Sequence, residues 1–293
     1  MVYFVYWNNM RVNSIYYSLG LLLLLAINPV RLIPATNKYP KNIDNLVVIG
    51  LDGMKEEDIR SPYTELLFLL KAKGYFTYWY GKSHNCVTSQ PYNISLPAYA
   101  NFFTGTVDPR ITTNSFTGKL KKQTLFDNYK NSQLFSSWDP LKVIMSNNKK
   151  LVDEHGFIVS SNGFPRSPDD WVIKEAFLEF YLGSEFSFVH FGDADNYAHL
   201  RNYIKYRQSI NLSAKYSLEI INHVEHISDS GKAFIFFSDH SRGRLLNWHS
   251  HGKHLPESKH IFILIASTLE LNFTLPICDH TALHGIIKSI IPK

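Results

Sequence analysis

Three apolar runs in this 293-residue chain stop at aspartate, and those ends are where chemistry is expected. "VVIGLDG" ends at Asp52, "FVHFGDADNYAH" supplies Asp193, Asp195 and His199, and "FIFFSDH" ends at Asp239 and His240. A carboxylate at the end of a buried strand is costly unless something occupies it. One such aspartate reads as a helix cap or a turn residue. Three of them, two accompanied by histidine, exceed what capping explains. Mixed Asp and His donors suit zinc, with manganese or iron as substitutes. Within the second run Asp195 is the favoured donor, because it stands four residues before His199 and shares one side of a helical turn with it. Asp193 then reads as a supporting or capping carboxylate. Downstream, "WHSHGKH" adds His249, His251 and His254. The glycine after His251 lets the backbone bend sharply around a site, which singles that histidine out. Ser95, in "NISLPAYANFF", opens a helix with Pro97 in its first turn. Serine is common there as a cap, but a helix N-terminus also favours an anion or an activated alkoxide.

Strands must deliver these residues to one edge. "NLVVIGL", "YFTYWY", "LKVIMS" (141–146), "FSFVHF", "KAFIFF" and "HIFILIAS" (260–267) read as strands. "EEDIRSPYTELLFLLKAKG" reads as a helix closed by Gly74, and "NYIKYRQSINLSAKYSLEIINHVEHISDSG" as a longer helical stretch closed by Gly231. Strands that are apolar throughout and alternate with helices imply an α/β fold, with a mostly parallel central sheet and helices on both faces. In such sheets ligands bind beyond the carboxyl ends of the strands. The more polar segment 110–185 is expected to carry an insertion or lid.

The excess of 30 basic over 25 acidic residues is mild, and no basic run is interleaved with aromatics, so no nucleic-acid-binding patch is expected. "IYYSLGLLLLLAI" (15–27), after Arg11, is too short for the roughly 20 residues of a bilayer span and fits a signal segment. Residues 1–35 are read as a signal peptide or N-terminal anchor, a possible membrane tether, and 36–293 as the catalytic domain. Export follows, to the periplasm or beyond. Cys86 and Cys278 are the only cysteines and could pair in an oxidising compartment. No CxxC spacing supports a thiolate metal site. Of the glycosylation sequons at Asn93, Asn211 and Asn272, the first falls too close to Ser95 to be modified.

In order along the chain, these segments resemble the alkaline phosphatase superfamily, in particular its nucleotide pyrophosphatase/phosphodiesterase-like branch. The likeness runs over roughly residues 45–290. "LDGM" is similar to the first metal-aspartate segment, "SLPAYANFFTG" to the nucleophile segment, "DNYAH" to the Asp-x-x-x-His pair, "SDHSRGR" to the Ser-Asp-His-Gly segment and "WHSHG" to the late His-Gly segment. The resemblance implies an alkaline phosphatase-like three-layer sandwich with two divalent metal ions about 4 Å apart. It implies that Asp52, Ser95, Asp239 and His240 bind one, and Asp195, His199 and His251 the other. Ser95 would attack phosphorus and form a phosphoserine that water then releases. Asn114 is matched to the asparagine that holds a phosphate oxygen in phosphodiesterase relatives. The expected substrate is a small phosphate monoester or diester.

Two departures matter. Ser241 stands where the family has glycine after Asp-His, a small change expected to be tolerated. Sulfatase relatives need Cys or Ser followed by x-Pro-x-Arg, and Tyr99 occupies the arginine position, which disfavours that activity. The alternatives are a catalytically inactive exported relative that binds a metal or an anion, and a phosphoryl-group transferase of envelope lipids or glycans. The full set of donors argues against the first, and no set of membrane spans supports the second.

Overall fold

A computed structural model describes residues 42–129, 131–136, 138–145, 156–158, 169–273 and 277–292. The expected leader (1–35) and the linker after it lie outside the described residues. No described helix is long and apolar enough to cross a membrane. Residues from Tyr39 onward form one compact unit.

The elements follow the apolar runs. They are β1 (Ile43–Leu51), α1 (Glu56–Ala72), β2 (Phe76–Tyr80), α2 (Ser95–Thr104), β3 (Ser132–Ser136), β4 (Gly156–Ile158), α3 (Asp169–Phe180), β5 (Phe186–Phe191), α4 (Asp193–His199), α5 (Tyr203–Ile227), β6 (Gly231–Phe237), β7 (Ile263–Ser267) and α6 (His280–Ile290), with a few single turns between them. The strands form a seven-stranded sheet in the order β2-β7-β6-β1-β5-β3-β4. Only β7 runs against the rest, antiparallel to both β6 and β2. This is the expected α/β fold with a mostly parallel sheet.

Alternate residues of the central strands feed two cores. Leu46 and Val48 of β1 join Phe186 and Phe188 of β5 under α2 and α6. Val47, Ile49 and Leu51 join Val189 and Phe191 on the other face, under α1, α3 and α5. With both faces covered the strands are apolar throughout, which is why they show no alternation of polar and apolar residues. Every residue of the two cores lies within 43–291, so the unit has a core of its own.

The expected strand at 141–146 is instead a 3-10 turn (Asp139–Leu141) running into a short helix (Lys142–Met145). Pro140 sits in the first turn of that piece. Leu141, Ile144 and Met145 are buried at helical spacing, i, i+3 and i+4, which is the pattern the apolar run concealed. The segment 110–185, expected to hold an insertion or lid, supplies β3 and β4 to the sheet and α3 to its cover. Residues 146–155 and 159–168 within it lie outside the described residues.

Candidate metal centre and nucleophile

β6, β1 and β5 are neighbours at the middle of the sheet. Their registers pair Gly50 with Phe237 and Leu51 with Phe191. The residues that follow each strand therefore leave the sheet at one level, and Asp52, Asp195, Asp239 and His240 converge. Two groups of metal-donor side chains form, Asp52 with Asp239 and His240, and Asp195 with His199 and His251, the donor atoms of each lying within 4.8 Å of one another. The first group is buried, while the second opens to solvent at His199, whose side chain is half exposed.

Ser95 is the first residue of α2, after the extended Ile94, and its hydroxyl makes no cap. Its Oγ lies instead 3.4 Å from Asp52 Oδ1 and 3.3 Å from His240 Nε2. The exposed Asn114 accepts the Leu96 N–H through Oδ1 at 2.9 Å, which leaves its amino group as a donor beside Ser95.

The hydrogen-bond pattern suits cations. His240 Nδ1–H donates to Ser241 O (3.0 Å) and His251 Nδ1–H to Asn93 O (2.8 Å). Burial drives the pKa of His240 down to about 4 and that of His251 to about 3, so both rings are neutral and each Nε2 carries a lone pair. The lone pair of His240 faces Asp239 Oδ2 at 3.2 Å and Asp52 Oδ1 at 3.7 Å. Asp239 Oδ2 has no hydrogen-bond partner despite full burial. Acceptors turned on one another repel unless a cation lies among them. Burial, reinforced by mutual repulsion, raises the carboxyls of Asp52 and Asp239 above the usual range. The donor sets therefore fit divalent metal ions.

Asp195 differs. Burial opposes its ionisation, yet the Arg242 guanidinium and His199 hold its carboxyl well below the ordinary range. Its Oδ2 lies 3.2 Å from His199 Nε2 and its Oδ1 takes the Arg242 Nη2. Asp193, buried at the start of α4, stands outside both donor groups. The carboxylate that accepts the first amides of α4 is Asp170 of α3, at 2.7 Å from Gly192 N and 3.2 Å from Asp193 N. We expect Asp195→Asn to lower the metal content of the purified protein by about one ion and Asp193→Asn to leave it unchanged, read by elemental analysis; the opposite result would reverse the assignment.

Four residues to which sequence reading gave no role in the site support it. Arg242, fully buried, donates Nε to Gly53 O (2.8 Å) and Nη1 to His249 O (3.0 Å) while holding Asp195. Gly53 has a left-handed backbone (φ 61°), and a Cβ there would sit against Arg242 and Asp195 inside van der Waals contact. His190, in the middle of the apolar run "FSFVHF", faces Asp52 Oδ2 from Nε2 at 3.0 Å. Burial pushes its pKa down to about 3, so it is a neutral donor that leaves Asp52 Oδ1 for Ser95 and the metal side. The rings of Trp138 and Tyr99 lie 5.7 and 5.4 Å from it and fix its plane. Asn93 aims its carbonyl at His251 and ties its side chain to Ser258 (3.1 Å). Its burial accounts for the unsuitability of that sequon. Ser241 is accommodated because its backbone is not left-handed. Among His249, His251 and His254, only His251 joins a donor group. For His190→Ala we expect kcat to fall about 10-fold or more at nearly constant KM, since Asp52 loses its orientation; His190→Asn, which keeps a donor, should recover part of it. A matching fall for both variants would deny the hydrogen bond this role.

No protein-family model and no curated protein matches the sequence. Solved structures do match. The C-terminal periplasmic domain of EptC from Escherichia coli, complexed with zinc, is 12% identical, with 86% of this chain and 83% of that one covered at a TM-score of 0.59. The phosphoglycerol transferase GacH of Streptococcus pyogenes, in complex with sn-glycerol-1-phosphate, is 12% identical over 86% and 76% of the two chains, at 0.57. Alkaline phosphatase from the Antarctic bacterium TAB5 is 10% identical over 86% and 98%, at 0.53. At these identities the likeness is one of architecture: this chain has the fold of the alkaline phosphatase superfamily.

Proposed function

We propose that the protein is a metal-dependent phosphoesterase acting through Ser95. The observation that carries this is the placement of Ser95 Oγ, buried at the N-terminus of α2, between Asp52 Oδ1 and His240 Nε2. Asp52, Ser95, Asp239 and His240 would hold one divalent ion and Asp195, His199 and His251 a second, zinc being the best match to these donors. When bound, the ions would acidify the serine hydroxyl and an attacking water and neutralise charge on the phosphoryl group. Asp52 orients the hydroxyl. Ser95 Oγ attacks phosphorus, the bond to the leaving oxygen breaks, and a phosphoserine forms. The amino group of Asn114 holds a non-bridging oxygen. Water admitted on the exposed His199 side then releases phosphate and restores the hydroxyl. Because that side is open, an alcohol can replace water, and the outcome is then transfer, the activity named for GacH.

The disulfide joining Cys86 to Cys278 supports an oxidising compartment, in keeping with export. Tyr99, buried against Phe188 and Phe237, stands where a sulfatase needs arginine, which speaks against that chemistry although one similar structure is a 2-O GAG sulfatase. The test is hydrolysis of p-nitrophenyl phosphate and bis(p-nitrophenyl) phosphate by zinc-loaded protein, with and without a simple alcohol. Turnover of either ester is expected, and a phosphorylated alcohol would mark the transferase. Inertness toward both esters, with no bound metal after growth in zinc, would instead identify an inactive relative.

A further inference from the structure

The loop that brings Arg242 and His251 to the site also carries two leucines away from it. Gly243 N–H donates to Ser250 O at 2.9 Å and closes a neck, and bonds from Asn247 N to Arg244 O (2.9 Å) and Ser250 N to Asn247 O (3.0 Å) hold the turn. At its tip Leu245 and Leu246 are 89% and 90% exposed, the highest values among the large apolar side chains described. Leu245 is also left-handed, with φ 47°, a conformation that costs a branched side chain energy. The tip is not loose, because Trp248 at its base packs on Tyr203 and Tyr206 of α5, with ring centroids 5.1 and 5.7 Å apart. The turn leading into α5 lies alongside, since His199 meets His251. It adds exposed Leu200, Tyr203 and Ile204.

Charge on these two segments has one sign. Arg201, Lys205, Arg244 and Lys253 are exposed. Neither 196–218 nor 240–256 contains an aspartate or glutamate. Side chains that project almost fully into solvent form no cavity for a small ligand. Two leucines and their neighbours also fall short of the roughly 1,200 Å² that a stable protein interface buries. Apolar side chains that can enter an acyl boundary, with Arg201, Lys205, Arg244 and Lys253 on the same two segments to attract anionic headgroups, match a lipid surface, although Glu57, Asp58 and Glu257 of neighbouring segments line a pocket with Arg244. We propose that the Leu245–Leu246 tip docks the protein onto a bilayer containing anionic phospholipid, with the mouth of the site held at that surface.

Docking of this kind needs neither bound metal nor turnover, so it is tested apart from catalysis. The protein from Tyr39 onward, whose core is complete, is sedimented with vesicles of phosphatidylglycerol and phosphatidylcholine in equal parts. Binding is expected, and it should fall at least about tenfold in L245S/L246S, given the apolar area lost, and similarly in R201Q/R244Q. Circular dichroism and turnover of p-nitrophenyl phosphate should stay unchanged in both. Ser95→Ala should bind vesicles as the parent does, which separates failure of this proposal from failure of the phosphoesterase reading. Equal binding by parent and L245S/L246S, equal binding to phosphatidylcholine alone, or no binding would overturn it. Self-association that the leucine variant abolishes, without vesicle binding, would identify the tip as an interface between copies and overturn it as well.

Discussion

Ser95→Ala lowers phosphoester turnover by at least about 10³-fold, in line with the loss of a nucleophile elsewhere. The substitution removes one buried oxygen whose contacts are Asp52 and His240. Alanine is at least as good a helix former as serine at the start of α2, and the hydroxyl caps nothing, so stability should not fall. Asp52, Asp239 and His240 remain as donors, and metal content should stay close to that of the parent. A rate loss with retained metal and unchanged melting temperature therefore isolates the nucleophile. Retained turnover would mean that water attacks the ester directly, and the phosphoserine route would be abandoned.

Chelation takes turnover to background and lowers the melting temperature. The folded protein crowds the three carboxylates and three imidazoles of the two donor groups into one edge of the sheet, and cations would relieve that crowding only in the native state. Ligand held at 100 times its Kd stabilises by about 2.7 kcal/mol, which for a unit of this size is about 5–10 °C. Calorimetry before and after chelation, with zinc added back, reads both effects. Rebinding to the stripped protein should weaken as the pH falls. The carboxyls of Asp52 and Asp239, raised by burial and mutual repulsion, take up protons at higher pH than ordinary aspartates. The imidazole of His240, depressed by burial to about 4, stays unprotonated through that range, so at the Asp52, Asp239 and His240 group the carboxylates set the loss. A melting temperature indifferent to chelator and zinc at neutral pH would contradict the metal reading of the site.

The central sheet was legible because β1, β5, β6 and β7 are buried on both faces and so appear as uninterrupted apolar runs. β3 was not, since Ser132, Gln133 and Ser136 make it look like a loop, and its neighbours in the sheet bury it all the same. Asp52, Asp195, His199, Asp239 and His240 could be read because each follows a strand or shares a helical turn with another donor. Arg242 and His190 could not be placed, since what they touch depends on strand order, and no local spacing reports strand order. A faint signal existed for His190, a lone ionisable group inside a strand that is otherwise apolar. For Asp170 and Asn93 the sequence offers none, because each acts on a helix or loop distant along the chain.

The donors come from separate stretches between Asp52 and His251, and of the three central strands that align them β1 is separated along the chain from β5 and β6 by three other strands. No partly made or partly threaded chain can possess the centre. Metal capture by the two donor groups would therefore follow folding. A chain that crosses a membrane unfolded arrives with its ligands scattered and meets its metal only on the far side. For a chain exported unfolded, the order of strands along the sequence would leave a wrong metal abundant at the site of synthesis no pocket to enter.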